Sequence, residues 1–269
     1  MYQKDIKKTV YTLNINNYAP ELLEFTRPFL DHWIKKIGAN HFEIKDRKYP
    51  NLDIEMEKLQ IYDLAQIHQN DWSIYIDLDA LVHPELFDIT DHLNKDTVLH
   101  VGNDFAGLRW SYDRFFRRDG RHIGSCNWFA MASDWNIELW KMPEDITYDE
   151  MIKNIHPLPI ERHTVIKPAH LVTDYILSRN IAKYGLKFQT LNQICIDNGM
   201  PDSAFFYHLF LVPLDKKIES VCEKIYDWYN YSLGFEKERC EKLFADFKKL
   251  SIEDKKMMAR KTIKMWDLS

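Results

Sequence analysis

Two carboxylates separated by a single leucine, Asp77-Leu78-Asp79, are the residues of this chain best suited to hold a metal ion. They end an apolar, β-prone run, Ser73 to Ile76, which follows the turn cluster Gln69-Asn70-Asp71 and reads as a buried strand. In a parallel α/β sheet the C-terminal end of such a strand opens into the crevice where ligands bind. Two negative charges in so small a volume raise the energy unless a cation or a proton offsets them. Hard oxygen donors suit Mg²⁺ or Mn²⁺, and Mg²⁺ in particular is usually held by one or two carboxylates together with the phosphates of a substrate. The motif therefore points to a divalent-metal site for a diphosphate. The competing reading, a chance Asp-x-Asp, fits the surroundings less well, because a strand precedes the pair, Ala80-Leu81-Val82 stays apolar and His83-Pro84 then turns the chain.

The elements that must position this pair follow from the hydrophobic pattern. Thr9 to Ile15 is β-prone, and the polar turn Asn16-Asn17-Tyr18-Ala19-Pro20 leads from it into a helix over Glu21 to Ile37, with apolar residues at Leu22, Phe25, Phe29, Trp33 and Ile37. Pro28 should kink or divide that helix, and Gly38-Ala39-Asn40 ends it. His41 to Ile44 reads as a second strand, and Ile54 to His68 as a helix that delivers the chain to the Asp77 strand. Beyond Pro84 the pattern gives a short irregular helix over Glu85 to Leu93, a strand over Thr97 to Val101, and an apolar strand over Gly124 to Ala132 bearing one polar residue, Asn127. Trp135 to Trp140 and Asp149 to Ile155 look helical, and Pro157 to Pro168 is an irregular loop. His170 to Tyr184 is the clearest helix of the second half, with Thr173-Asp174 near its start and Gly185 as its stop; Leu186 to Asn192 is a short strand.

Other candidate residues carry two readings each. Asp174 is either a helix-start charge that suits the dipole or a carboxylate aimed at a substrate. His208, inside Phe205-Phe206-Tyr207-His208-Leu209, would by itself more often be structural than a ligand. The arginines Arg114, Arg117, Arg118 and Arg121 form either a solvated face or a phosphate contact. A buried Asn127 needs hydrogen-bond partners, and a sugar hydroxyl is one way to supply them.

With 269 residues, 45% of them apolar and 14% aromatic, the chain can fill the core of one large α/β domain or two small ones. Its net charge of −5 argues against nucleic acid as a partner. No run approaches a membrane span, and the N-terminus lacks a signal-peptide pattern, so the expected location is cytoplasmic. Cys126, Cys195, Cys222 and Cys240 show no Cys-x-x-Cys spacing and read as reduced thiols, Cys240 as the most exposed. From Leu214 onward, Glu, Lys and aromatics at helical spacing give two or three amphipathic helices, broken near Gly234. Their basic end, Lys255 to Lys264, packs on its own domain or a homodimer partner by default; weak contact with an anionic membrane surface is the minority alternative.

The order of these elements resembles the GT-A class of nucleotide-sugar glycosyltransferases, in particular the glycogenin and bacterial galactosyltransferase relatives. Tyr11-Thr12-Leu13-Asn14 through Asn17-Tyr18 is similar to the family segment that holds a uracil base. Lys58 matches a lysine one helix before the metal motif, Asp77-Leu78-Asp79 matches the family Asp-x-Asp, and Asn127 falls where the family places a sugar-contacting Asn. His170 to Asp174 looks like the helix start that presents a carboxylate near the donor sugar, and His208 falls where the family uses a late histidine as a third metal ligand. The chain departs from the pattern at Trp128, where the family commonly has Gly, and lacks the glycine-rich His loop and its Lys-Pro-Trp partner after Phe210.

The resemblance implies an α/β, Rossmann-like GT-A fold with a mixed, mainly parallel sheet flanked by helices, spanning residues 1–213, and a helical C-terminal extension over 214–269. It implies a hexosyl- or pentosyltransferase that uses Mn²⁺ or Mg²⁺ to move a sugar from a nucleotide sugar, a UDP-sugar above all, to a glycan or glycolipid acceptor. Thr12, Asn14, Asn17, Tyr18, Lys58 and Asp77 would bind the nucleotide, Asn127 and Asp174 the sugar, and Asp77, Asp79 and His208 the metal. Asp174 would be the catalytic group, as base in an inverting reaction or as donor-orienting group in a retaining one. Two other classes share the fold: a sugar-nucleotide nucleotidyltransferase, whose glycine-rich basic loop has no counterpart in Asn14 to Pro20, and a non-catalytic carbohydrate-binding relative.

Overall fold

The computed structural model describes residues 6–100, 128–154, 168–199, 205–209 and 212–268. Its strands are β1 (Lys8–Leu13), β2 (Asn40–Ile44), β3 (Trp72–Ile76), β4 (Ala80–Val82), β5 (Thr97–His100), β6 (Phe129–Ser133), β7 (Lys187–Gln189) and β8 (Phe206–His208). Its α-helices are α1 (Pro20–Lys36), α2 (Ile61–His68), α3 (Tyr148–Asn154), α4 (Pro168–Lys183), α5 (Leu191–Asp197), α6 (Leu214–Ser232), α7 (Lys237–Lys248) and α8 (Ile252–Met265). They fall into two compact units, one drawn from Met1–Asn16, Gly38–Asp77 and Asp88–Ser203, the other from Asn17–Ile37, Leu78–Phe87 and Ala204–Ser269.

The first unit is built on a six-stranded sheet in the order β2-β1-β3-β6-β5-β7. β1 runs parallel to β2 and β3, and β5 parallel to β7, while β6 is antiparallel to both of its neighbours. The architecture is therefore the expected mixed, mainly parallel α/β sheet. All five residues of β3 are buried, Ser73 among them, as in a strand covered on both faces. Leu171, Val172, Tyr175 and Ile176 of α4 share a core with Tyr11, Tyr75, Val98 and Ala130 of the sheet.

The second unit buries the apolar stripe of α1. Leu22, Phe25 and Phe29, spaced three and four apart, join Leu81 of β4, Val221, Ile225 and Trp228 of α6, Phe247 of α7 and Ala259 and Ile263 of α8. Removing each large apolar side chain of this kind from water contributes roughly 1.5–3 kcal/mol. Salt bridges from Lys256 to Glu21 and from Arg260 to Glu24 add an ionic seam between α8 and α1. The short antiparallel pair β4 and β8 aligns Ala80 with His208, Leu81 with Tyr207 and Val82 with Phe206, and the His83 N–H extends the ladder to the Phe205 carbonyl at 2.7 Å.

Several local expectations are corrected. Pro28 does not divide α1, which runs through it as one helix. The stretch Ile54 to His68 is a 3₁₀ segment over Ile54–Gln60 followed by α2. Of Glu85 to Leu93 only Ile89–His92 is helical, as a 3₁₀ turn capped by Asp88. The strand after Gly185 covers Lys187–Gln189 alone, because the Thr190 side chain accepts the Gln193 N–H and starts α5, a helix the periodicity did not reveal. Cys240 is buried rather than exposed, as are Cys195 and Cys222. Among the described residues no helix is long and apolar enough to cross a membrane. Cys126 and the arginines of 109–122 lie outside the described residues, as does the loop 157–167.

Candidate metal and nucleotide site

β3 ends at Ile76, so Asp77 leaves the sheet at the C-terminal tip of a central strand. Its backbone N–H donates to the Trp128 carbonyl at 2.8 Å, which fixes the main chain there. Lys58, from the 3₁₀ segment, brings its ammonium to 3.0 Å from Asp77 Oδ1 and 3.2 Å from Glu55 Oε2. The same ammonium stands 4.9 Å from the centre of the Tyr75 ring, whose hydroxyl donates to Asp77 Oδ1. Lys58 is only 3% exposed; burial alone would push its pKa down, but the Asp77 and Glu55 carboxylates outweigh burial and raise it. Lys58 therefore stays charged.

Asp79 lies two residues on, in the second unit, joined to Asp77 through Leu78 alone, so the two Cα atoms are at most about 7 Å apart. Thr26 of α1 donates its hydroxyl to the Leu78 carbonyl at 2.8 Å, both groups buried. The β4–β8 register sets His208 opposite Ala80, which brings His208 Nε2 to 3.5 Å from Asp79 Oδ1. The second carboxylate oxygen, Oδ2, receives the Lys217 ammonium from the first turn of α6. Lys217 also donates to the Tyr18 hydroxyl at 3.1 Å, and its ammonium is 5.8 Å from the Tyr18 ring centre. Burial opposes the charge on Lys217, but Asp79 and then the Tyr18 hydroxyl prevail and lift its pKa above the ordinary lysine value.

The donor set fits a small hard cation. Asp79 and His208 present a carboxylate oxygen and an imidazole nitrogen close enough to share one ion, a chemistry that suits Mn²⁺ as well as Mg²⁺. The lysine on Asp79 shows directly that this carboxylate attracts a cation.

The remaining sequence-predicted residues are placed as follows. Thr12 is buried, with Oγ1 3.0 Å from His41 Nε2, and Asn14 donates to Glu43 at 3.2 Å. Asn17 is exposed in a left-handed conformation that Asn tolerates, and Tyr18 is 39% exposed. Asp174 is buried, but it is the seventh residue of α4 and not part of its start, because the helix begins at Pro168. A proline at the first helical position is a recognised signal that places the start two residues before His170. Asn127 lies outside the described residues.

Lys217, Thr26 and Tyr75 were not singled out by the sequence reading. Lys217 carried one signal: Lys216 and Lys217 occupy the first turn of α6, where the dipole disfavours cations, so a carboxylate partner was to be expected.

No protein-family model matches the chain. No curated protein matches it. Among solved structures the chain is similar to a glycosyltransferase involved in the glycosylation of the major capsid of PBCV-1, at 10% identity over 80% of this chain and 98% of that one, with a TM-score of 0.47. It is also similar to a mutant of Drosophila beta-1,4-galactosyltransferase 7 in complex with manganese, UDP-Gal and xylobiose, at 15% identity over 76% of this chain and 71% of that one, with a TM-score of 0.41. Both descriptions name glycosyltransferases.

Proposed function

We propose that this chain is a metal-dependent glycosyltransferase that moves a sugar from a nucleotide sugar, a UDP-sugar, to a hydroxyl of a glycan or glycolipid acceptor. The observation that carries the reading is the pairing of Asp79 with His208 at 3.5 Å, two residues beyond Asp77 at the tip of β3. A divalent ion bound by Asp79 and His208 would neutralise the charge that develops on a departing nucleoside diphosphate.

The chain's own residues have distinct parts in this reading. Lys58 and Tyr75 both engage Oδ1 of Asp77, the carboxylate assigned to the ribose and the metal. Thr12, Asn14, Asn17 and Tyr18 are assigned to the nucleotide by the family resemblance, and of these Asn17 and Tyr18 are exposed. Asn127 and Asp174 are assigned to the donor sugar, with Asp174 holding the acceptor proton in an inverting reaction or orienting the donor in a retaining one.

A hydrolysis screen over several UDP-sugars, with Mn²⁺ and with a chelator, tests the proposal. Metal-dependent release of UDP from one donor is expected. Turnover of a nucleoside triphosphate and sugar phosphate instead would move the chain to the nucleotidyltransferases, and sugar binding without turnover of any donor would make it a carbohydrate-binding protein.

A further inference from the structure

The two oxygens of Asp79 are both engaged within the second unit, Oδ1 facing His208 Nε2 at 3.5 Å and Oδ2 holding the Lys217 ammonium. Both side chains of the Asp79–Lys217 pair are 12% exposed. At such depth an ion pair is screened far less than at the surface, and the attraction of opposite charges in contact is several times its value in water. The helix dipole does not favour Lys217 there, since a cation in the first turn of a helix is disfavoured. The Tyr18 hydroxyl, accepting from the same ammonium at 3.1 Å, holds it in place.

We propose that Lys217 is a tethered counter-ion for Asp79, occupying the position of a cation, so that a divalent metal enters only by exchange with the lysine ammonium. This rests on the assignment of Asp79 and His208 as metal ligands. The chemistry is simple substitution at a carboxylate: the ammonium leaves Oδ2 with its proton, the divalent ion takes that oxygen, and His208 Nε2 supplies the ion with a second donor atom. The resident ammonium keeps the carboxylate compensated before loading and sets a threshold concentration of metal below which the site stays in its lysine-paired form. Lys217 is thus a positioning residue that weakens metal binding.

Mn²⁺ binding to the full chain, followed without nucleotide by the electron paramagnetic resonance of free Mn²⁺, tests this. K217Q should bind Mn²⁺ about tenfold more tightly than the wild type, a difference of about 1.4 kcal/mol. K217R, which restores the cation, should return to within about threefold of the wild type, an outcome that loss of packing at this position would not give. Y18F, which removes one acceptor from the ammonium and leaves the lysine, should tighten binding by about two- to threefold and gives a readout even if K217Q fails to fold. Wild type that binds Mn²⁺ while K217Q and Y18F bind it no more tightly would overturn the exchange and leave the metal site standing. Absence of Mn²⁺ binding to wild type and to both variants would overturn the metal site and the exchange together.

Discussion

Lys58 and Asp77 form a 3.0 Å ion pair in which the lysine is almost wholly buried and the carboxylate remains 22% exposed. The asymmetry says which partner depends on the other. A buried ammonium that loses its carboxylates is costly, whereas a carboxylate at a strand tip can turn to water or to a metal. Replacing Lys58 with Met should lower stability by about 1–3 kcal/mol, because Asp77 and Glu55 then face each other without a cation. E55Q should cost less, since Glu55 is 30% exposed. Urea unfolding of both variants checks the order; equal loss in the two would mean that Lys58 is held by packing alone.

Thr26 acts on the site through the main chain. Its hydroxyl fixes the carbonyl of Leu78, the residue between the two aspartates. T26V keeps the volume and leaves that buried carbonyl without this donor, so the variant should lose about 1 kcal/mol of stability and bind Mn²⁺ several-fold more weakly. Calorimetric titration with Mn²⁺ measures the second effect, and unchanged affinity would show that the Leu78 carbonyl does not position its neighbours.

Glu57 is fully buried and gathers Arg47 Nε at 2.8 Å, the Lys48 N–H at 2.9 Å, the Tyr49 N–H at 3.0 Å and Gln60 Nε2 at 2.7 Å. These bonds tie the stretch after β2 to the 3₁₀ segment that carries Lys58. E57A strands several donors at once and should destabilise by roughly 2–4 kcal/mol, visible as a lower denaturant midpoint. A midpoint equal to that of the wild type would show that this network contributes nothing.

Asp145 gives the acid side of the stability curve. Its hydrogen bond from Arg179, which outweighs burial and is helped by Lys183, holds the carboxyl pKa down at about 2. A carboxyl depressed in the folded state adds stability above its unfolded pKa of roughly 4, and that stability disappears as the pH falls through 2. Asp145 is 51% exposed, so solvent screening limits the effect to about 0.5 kcal/mol, roughly 1–2 °C in melting temperature. D145N should therefore melt slightly below the wild type at pH 7, with the gap closing between pH 4 and pH 2. A gap independent of pH would contradict the ion pair as its source.

The sheet was legible in the sequence wherever one strand carried its own signal. β1 and β3 are β-prone runs bounded by turn residues, and the Asp-x-Asp motif at the end of β3 needed only that strand to be placed. β4 and β8 were not legible as a pair, because three-residue strands carry little periodicity and their partners lie more than 120 positions apart in the chain. That pairing nonetheless aligns His208 beside Asp79, so the histidine could be assigned only through the family resemblance. The shared core of α1 with the C-terminal helices was equally hidden, since amphipathic stripes at Leu22, Phe25 and Phe29 announce a buried face without naming what covers it. Asp174 lies deeper in its helix than expected because the helix expected from His170 begins at Pro168.

The most direct test of the central claim is thermal unfolding of the wild type and of D79N with UDP, with Mn²⁺, and with both. The site as described predicts that the wild type gains about 3 kcal/mol, roughly 5–10 °C, when UDP is present with Mn²⁺ at about a hundred times the dissociation constant of the UDP–Mn²⁺ pair, and that it gains far less from UDP without metal. D79N should show no metal-dependent gain while keeping the wild-type circular dichroism. A shift of the same size in D79N, or one produced by UDP irrespective of metal, would contradict Asp79 as a ligand and with it the metal-dependent transferase.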